Sequence, residues 1–400
     1  MINGLSKVDW KKDLHVLLVL TSLVVLFFPS HILWSQSLIA CVLWAVILFL
    51  KSRKFETKSF LAYLLITFYF IIVLSGIWAE NNALYLGAIR MKIMLLGIPF
   101  CFLIWSHWSS NQIKLFTKGL LLAIFLSACF VVVNYLIHRT EILEGLLRGH
   151  PIPVPFKDHI RYSILLCFSL ILSLYHADKC RKNHIKRSFY YWFAGSILLF
   201  FYIQFLAVKT GILLSIVVVF SFISFKIWEK KVYVKGLVAF LFIFISLFLV
   251  VQYVPTVKNK LSYFSWDIGK YKEKNYKSYS DGERIVSIMK GYEIAYQNPI
   301  LGVGEGNLVR YMDSDSNKLP HNQFIVVWAQ NGIFGLIGFI AIFVVSFWVS
   351  IKKHNWLAFA YTLAMFIANM LEPMFETQVG LTIFILPLLI VHSIERLDTN

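Results

Sequence analysis

Charged side chains are scarce in this 400-residue chain, where Asp, Glu, Lys and Arg together make up 15% of the residues. A typical soluble domain has about 25% charged and about 45–50% apolar residues, whereas hydrophobic residues here reach 58%. No soluble fold has enough interior to bury that much apolar surface. The scarcity of charge therefore excludes a soluble globular protein, and the bilayer must be the solvent for most of the chain.

Cysteine is also rare, which limits the kinds of site that the chain can carry. The five cysteines form no C-x-x-C pair, and none lies in the polar segment 255–322. A disulfide framework or a zinc site is therefore not expected. His138, His150 and His159 are spaced too loosely to indicate another metal site. We therefore predict a protein that uses neither a metal nor another cofactor.

Apolar runs of about 17–25 residues dominate what remains, and each is long enough to cross a bilayer as a helix. Lys11 and Lys12 precede the first run as in a signal peptide, but no small-x-small cleavage site follows, so we interpret it as a spanning helix. The twelve runs are about 14–29, 32–50, 60–78, 84–105, 115–137, 160–177, 189–206, 208–227, 234–254, 323–350, 355–371 and 378–394.

This pattern predicts an all-α, polytopic transmembrane helical bundle that forms one integral membrane domain. Spans 1–9 occupy residues 1–254, a large outer loop with short helices occupies 255–322, and spans 10–12 occupy 323–400. Arg90 and Lys92 interrupt the fourth run, and almost nothing polar separates the runs that meet at 206–208.

Acidic residues are scarcer than basic ones, and the net charge of +17 needs an explanation. Nucleic acid is the usual partner of such an excess, but in a membrane protein Lys and Arg also mark the cytoplasmic loops. With the N-terminus inside, 21 of the 38 basic residues lie on the cytoplasmic side and ten lie in the outer loop 255–322. Long loops cross the membrane largely regardless of charge. The excess therefore predicts that both ends are cytoplasmic, and no nucleic-acid partner is needed.

The outer loop contains a helix-like segment and a glycine-rich turn. Ile285, Ile288, Tyr292 and Ala295 have helical spacing, with Asp281 as the candidate N-cap. Asn298-Pro299 ends this helix. Gly302, Gly304 and Gly306 follow without a preceding strand, so the pattern indicates a closely packed turn rather than a dinucleotide fold.

Ionisable residues within spans or at their outer ends are costly and are functional candidates by default. The predicted topology collects several of them on the outer face, together with two candidates from the outer loop. Each also has a simpler explanation: snorkelling to lipid headgroups, a solvated ion pair, or a position at the membrane interface. The candidates are Arg90, Lys92, Arg161, Lys209, Arg284, His321, Glu372 and Glu376.

The segment from Asp281 to Phe339 resembles the O-antigen ligase and polymerase superfamily of bacterial membrane glycosyltransferases. Arg284 precedes a short helix, and the family's motifs then follow in order as NPILGVGEGN (298–307), HNQFI (321–325) and NGIFGLIGF (331–339). Two further stretches are weaker matches. Lys209 stands where the family often has Arg in Ser-Arg-Gly/Thr, and residues 372–380 resemble the E-x(4–6)-Q-x-G pattern. Lys cannot form the bidentate fork of Arg, so that departure is not conservative.

The resemblance implies transfer of a glycan from undecaprenyl pyrophosphate to an acceptor hydroxyl, at the periplasmic face of the bacterial inner membrane. It implies His321 as the base that takes the acceptor's proton and Arg284 as a clamp on the pyrophosphate. Direct attack on the anomeric carbon would invert it. Lys209, Arg161, Lys92 and Arg90 are further candidates for the pyrophosphate. The supporting residues would be Asn322, Glu372, Glu376, Gly302 and Gly304.

Alternative functions stay open at this point. One hypothesis is a ligase with a lipid A core sugar as acceptor. The other is a polymerase that joins lipid-linked repeat units, and both enzymes use the same donor. A transporter or flippase is more distant, since it would need coupling carboxylates or broken helices near the midplane and often shows internal repeats. The expected partners are the lipid-linked donor, a lipid or glycan acceptor and membrane lipids.

Overall fold

The computed structural model describes residues 10–27, 31–52, 55, 59–105, 108–155, 158–231, 234, 238, 241, 245, 248–272, 280–312 and 319–394. Within these segments all regular structure is helical, which confirms the predicted all-α class. The described α-helices are α1 (Trp10–Val24), α2 (His31–Ser52), α3 (Phe60–Leu74), α4 (Asn82–Lys92), α5 (Met94–Ile104), α6 (Ser110–Ile137), α7 (Arg139–Leu147), α8 (His159–Lys182), α9 (Lys186–Phe205), α10 (Lys209–Lys230), α11 (Pro255–Lys272), α12 (Ser280–Gln297), α13 (Leu308–Tyr311), α14 (Gln323–Lys352), α15 (Trp356–Leu371) and α16 (Gln378–Ile394). Short 3₁₀ turns are Val25–Phe27, Ser75–Trp78 and Met374–Glu376.

Most of the predicted spans coincide with apolar helices. Eight described helical segments are long and apolar enough to cross a membrane, and three shorter apolar helices are Asp13–Phe27, Trp356–Leu371 and Gln378–Ile394. About half of the predicted span 234–254 lies outside the described residues, as does the side chain of Asp281. The count of twelve spans, the orientation and the domain limits therefore stay predictions.

The sequence-based boundaries need two refinements. The predicted span 84–105 is divided at Ile93 into α4 and α5, although the backbone angles of Ile93 stay right-handed helical and Asn82–Ile104 counts as one candidate span. The outer segments are also more helical than expected. Helix α11 occupies the Lys- and Tyr-rich segment after Pro255, and α7 follows α6 directly.

Helix α8 lies at the centre of the bundle. In its most apolar 18-residue stretch 94% of the residues are buried inside the protein, whereas 22–39% are buried in the corresponding stretches of the other candidate spans. Asp158 caps its N-terminus by accepting hydrogen bonds from the backbone N–H groups of Ile160 and Arg161. The cap places Arg161 at the start of the most buried helix.

Helix α14 is interrupted near its N-terminal third, where Gly332 has φ of 64° and ψ of −163°. The normal bond from Ile333 N–H to the carbonyl of Ala329 is missing there, and Ile333 N–H donates instead to Pro299 at 2.9 Å. The freed carbonyl of Ala329 accepts from Val303 N–H at 2.8 Å, and that of Gln330 accepts from Gly304 N–H at 2.9 Å. The turn therefore satisfies the backbone groups that the interruption exposes.

Close packing explains why this contact uses glycine on both sides. A Cβ atom on Gly332 would lie 2.0 Å from the carbonyl oxygen of Ile300, and one on Gly302 would lie 2.5 Å from the backbone of Gln330. Gly302 and Gly304 also have positive φ angles of 72° and 87°, which L-residues adopt only at a cost. The closely packed turn predicted from the sequence is confirmed, and it docks onto the interruption in α14.

Candidate functional site

The short connection between α15 and α16 carries two of the predicted acidic residues. Glu372 ends α15 and Glu376 lies four residues later, in the 3₁₀ turn Met374–Glu376. Phe375 between them is fully buried, with ring centroids 5.1 Å from Phe339 and 4.9 Å from Phe384. This aromatic contact fixes the connection, so that the two carboxylates have defined and different surroundings.

His321 and Arg284 meet at the first of these carboxylates. His321 Nδ1 lies 3.2 Å from Glu372 Oε2, within hydrogen-bond distance. Arg284 Nη1 lies 2.9 Å from Glu372 Oε1 as an ion pair, although Oε1 has no hydrogen-bond partner among the described residues. The Glu372 side chain is 3% exposed, against 22% for His321 and 31% for Arg284. We call these three residues the His–Glu–Arg cluster.

Glu372 stays ionised in this position despite its burial. Burial raises the pKa of Glu372, but the hydrogen bond from His321 and the positive charges of Arg284 and Arg161 outweigh it, and the pKa lies below its ordinary value. An ionised Glu372 accepts a hydrogen bond from Nδ1–H of His321. In the tautomer with that proton on Nδ1, Nε2 is unprotonated and faces away from the carboxylate, which is the form that a general base requires.

The neighbour of His321 has a structural task. Asn322 Oδ1 accepts hydrogen bonds from the backbone N–H groups of Phe324 at 3.0 Å and Ile325 at 3.2 Å, which caps α14. Its oxygen is thereby occupied by helix capping rather than by the imidazole. Asn322 therefore fixes the start of the helix that follows His321 directly.

Arg161 also comes close to the His–Glu–Arg cluster. Its Nη1 is 2.5 Å from Asp158 Oδ2, and its Nη2 donates to the carbonyl of Pro373, next to Glu372, at 3.4 Å. Arg161 Nε is buried and has no hydrogen-bond partner among the described residues. A buried donor without an acceptor is costly, so an anion at this position would be stabilised.

The two remaining predicted cations are more exposed. Lys209 begins α10, with its ammonium 4.1 Å from the centre of the Phe264 ring on α11. This is a cation–π distance, and it connects the start of a spanning helix to the outer segment. Arg90 is exposed on α4, and within the described part of the chain its side chain has no hydrogen bond or ion pair.

Lys92 lies in a second, enclosed cluster. Its side chain is 1% exposed, and its ammonium is 2.5 Å from Glu305 Oε1 and 3.0 Å from Glu376 Oε1. Two carboxylates therefore surround the one cation. The sequence-based prediction placed Lys92 among the residues that bind the pyrophosphate. In this structure it is instead closed off from solvent and neutralised from within the protein.

Glu305 is the main residue of this cluster that the sequence did not reveal. It is fully buried, Asn331 Nδ2 donates to its Oε2 at 2.9 Å, and the backbone N–H of Glu305 donates to Ser75 at 3.1 Å. Gln330, with its amide nitrogen turned to the carboxylate, donates to Oε1 at 3.1 Å. Burial nevertheless outweighs the charge of Lys92, and the pKa of Glu305 is raised. Its only signal in the sequence is an acidic residue between two glycines, Gly304 and Gly306.

The second cluster is linked to the connection by Gln323. Its Nε2 donates to Glu376 Oε1 at 3.3 Å, and its Oε1 accepts from the backbone N–H of Phe375 at 2.7 Å. We call Lys92, Glu305, Glu376 and Gln323 the buried Lys–Glu network. In the described residues no group of His, Cys, Asp and Glu has the geometry of a metal site.

Part of the chain is similar to a known protein family. Residues 194–340 match the O-antigen ligase family. The match confirms the resemblance to the superfamily of O-antigen ligases and polymerases that the motifs indicated. The matched segment contains Lys209, Arg284, His321 and the glycine turn, whereas Glu372 and all of α4 lie outside it. No curated protein matches the chain significantly.

Proposed function

We propose that this protein is an O-antigen ligase-like glycosyltransferase, which moves a glycan from undecaprenyl pyrophosphate to a sugar hydroxyl of the lipid A core. The reaction takes place at the periplasmic face of the inner membrane and needs no metal. The single observation that carries the proposal is the hydrogen bond between His321 and the buried Glu372, with Arg284 at the same carboxylate.

The base in this proposal is His321. Glu372 accepts from Nδ1, so Nε2 takes the proton of the acceptor hydroxyl as its oxygen attacks the anomeric carbon. The bond from that carbon to the pyrophosphate oxygen breaks as the new bond forms, and the configuration at carbon inverts. A general base that is held in position typically raises the rate about 10²–10⁴-fold.

The leaving group is a lipid pyrophosphate, whose negative charge grows as the bond breaks. Arg284 has a guanidinium edge beyond its contact with Glu372 and can donate to two phosphate oxygens at once. Arg161 contributes the buried, unsatisfied Nε, and Lys209 adds a point charge near α11. Fixed donors of this kind stabilise developing charge without a metal ion. Arg90 stays a candidate for the same role.

The acceptor separates the proposed ligase from a polymerase that joins lipid-linked repeat units, because the donor chemistry is the same. A transporter is less consistent with the site. The interruption in α14 resembles the broken helices of transporters, but the carbonyls that it frees bond to the glycine turn rather than to an open pathway.

Deletion of the gene, followed by gel analysis of surface polysaccharide, tests the proposal. We expect free lipid-linked polymer with bare core, because a ligase is lost. A band of core with a single repeat unit would instead indicate a polymerase. Complementation with His321→Ala or Arg284→Ala, at matched membrane levels, is expected to leave the deletion pattern unchanged. Full restoration by either variant would refute the proposed mechanism.

A further inference from the structure

The His–Glu–Arg cluster depends on two separate chain segments that must keep their register. His321 directly precedes the N-cap of α14, while Glu372 belongs to the connection between α15 and α16. The two side chains are 51 residues apart in the sequence and 3.2 Å apart in space. A shift of about 1 Å between the segments would break this contact and can cost about 10²-fold in rate.

Gln323 joins the same two segments from behind. It lies two residues after His321, and its amide contacts both Phe375 N–H and Glu376 Oε1 on the segment that carries Glu372. Gln323 is fully buried, so its bonds are shielded from water. The amide therefore acts as a clamp between the segment of the base and the segment of its carboxylate partner.

Lys92 holds the acidic side of this clamp. Its ammonium bonds to Glu376 Oε1, the same oxygen that accepts from Gln323, and also to Glu305 on the glycine turn. Without the cation, two carboxylates would face each other in an enclosed space, where like charges repel strongly. Glu376 would then turn away or take up a proton, and its contact with Gln323 would change.

We propose that Lys92 is a positioning residue for the reaction, which acts through Glu376 and Gln323 to hold Glu372 against His321. This inference rests on the proposed function. It differs from a role of Lys92 in binding the pyrophosphate, because an ammonium that is 1% exposed and already shared by two carboxylates does not reach the donor.

The test measures initial rates in proteoliposomes that contain the full-length protein. The donor is undecaprenyl-pyrophosphate-linked oligosaccharide, and the acceptor is lipid A core, both extracted from the source cells. Lys92→Met keeps an unbranched side chain but removes the charge. We expect kcat to fall about 10–100-fold, in the range seen when groups that orient catalytic residues are removed, with the donor KM changed less than about 3-fold.

A second measurement asks whether Lys92 acts through Glu372. Glu372→Gln alone is expected to lower kcat, and the double variant Lys92→Met with Glu372→Gln should lie within about 3-fold of Glu372→Gln, because residues that act as a unit are not additive. Multiplying losses, or a raised donor KM with unchanged kcat, would overturn the inference. A merely structural role would not give this non-additivity.

The chain supplies a matched control in Lys226, another mostly buried lysine between two carboxylates. Its ammonium lies 2.7 Å from Asp178 Oδ2 and 2.6 Å from Glu229 Oε2, at the C-terminal end of α10. Lys226→Met is expected to lower the melting temperature while kcat and KM stay within about 2-fold of the wild type. A loss of kcat equal to that of Lys92→Met would count against the inference.

Two further outcomes keep the test decisive. Should Lys92→Met fail to accumulate in membranes, Gln323→Leu removes both clamp bonds and leaves Lys92 paired with Glu305, and the same fall in kcat is expected. A wild-type protein without transfer would refute the proposed function itself. A wild-type protein with transfer, together with fully active Lys92→Met and Gln323→Leu, would refute only the positioning role.

Discussion

Replacement of Glu372 by glutamine tests the electrostatic arrangement of the candidate site. Gln has nearly the same shape, so the 3% exposed side chain keeps its packing, but its charge is lost. The contacts with Arg284 at 2.9 Å and His321 at 3.2 Å then lose their anionic partner. The amide can also turn its NH₂ group to Nδ1, which favours the wrong tautomer of the imidazole.

The expected loss follows from the role of the base. General base catalysis contributes about 10²–10⁴-fold. The amide oxygen of Gln can still accept from His321 part of the time, so we expect a fall in kcat near the lower limit, about 10²-fold. The loss of a charge-assisted hydrogen bond should also lower the stability by about 1–2 kcal/mol. The melting temperature of the purified variant measures the second effect.

Glu80 provides the control for this experiment. It also pairs with an arginine on the loop side, with Glu80 Oε2 3.4 Å from Arg310 Nη1, but its side chain is 56% exposed. Exposed pairs of this kind contribute little, so Glu80→Gln should keep the wild-type rate within about 2-fold. A Glu372→Gln protein that transfers glycan as fast as Glu80→Gln would refute the reasoning.

Three further predictions concern stability. The pKa of Glu372 is held below its ordinary value, so the excess melting temperature of the wild type over Glu372→Gln should be full above about pH 5 and vanish as the pH falls through that lowered pKa. The pKa of Glu305 is raised by burial, so the wild type should lose melting temperature as the pH rises from the ordinary carboxyl pKa through that raised pKa; Glu305→Gln does not titrate at this position, and a difference between the two proteins that stays constant with pH would contradict this. Gly332→Ala should abolish accumulation in membranes, because the new Cβ would lie 2.0 Å from the carbonyl of Ile300 and φ is positive. Gly269→Ala, with open space around its Cβ, should be tolerated, and equal amounts of the two proteins in membranes would contradict the account of the turn.

Much of the fold follows from composition, because the bilayer demands long apolar helices and the chain has few other ways to bury its backbone. The motifs also singled out Arg284 and His321, and the structure places both side chains at the carboxylate of Glu372. The sequence further indicated that the glycine turn is tightly packed. It did not indicate that the turn replaces backbone bonds of α14 at Gly332, since that exchange depends on a helix some 30 residues further along.

The surroundings of the charged residues could not be predicted in the same way. Lys92 finds its partners Glu305 and Glu376 at sequence separations of 213 and 284 residues. No local pattern specifies such contacts. From the sequence alone Lys92 is one more candidate cation on the outer face, whereas in the structure it is buried and paired with two carboxylates. Arg161 lies near the His–Glu–Arg cluster, where its charge helps to lower the pKa of Glu372, and its role at the pyrophosphate stays a prediction.

The connection 372–376 joins the two clusters into one arrangement. Its first carboxylate, Glu372, faces the solvent-accessible His321 and Arg284, and its second, Glu376, faces the enclosed Lys92. In the proposed mechanism, one end serves the chemistry and the other holds the segment in place. Variants on either end should therefore lower kcat, at Glu372 through its contact with His321 and at Lys92 through the position of Glu372.

The most direct test of the central claim is transfer by the purified protein in proteoliposomes with a metal chelator present. The donor is undecaprenyl-pyrophosphate-linked oligosaccharide and the acceptor is lipid A core. We expect the wild type to attach glycan to the core and release undecaprenyl pyrophosphate in equal amounts, and His321→Ala to do so at about 1% of that rate or less. Equal rates for the two proteins, or transfer that stops when the chelator is added, would contradict the account.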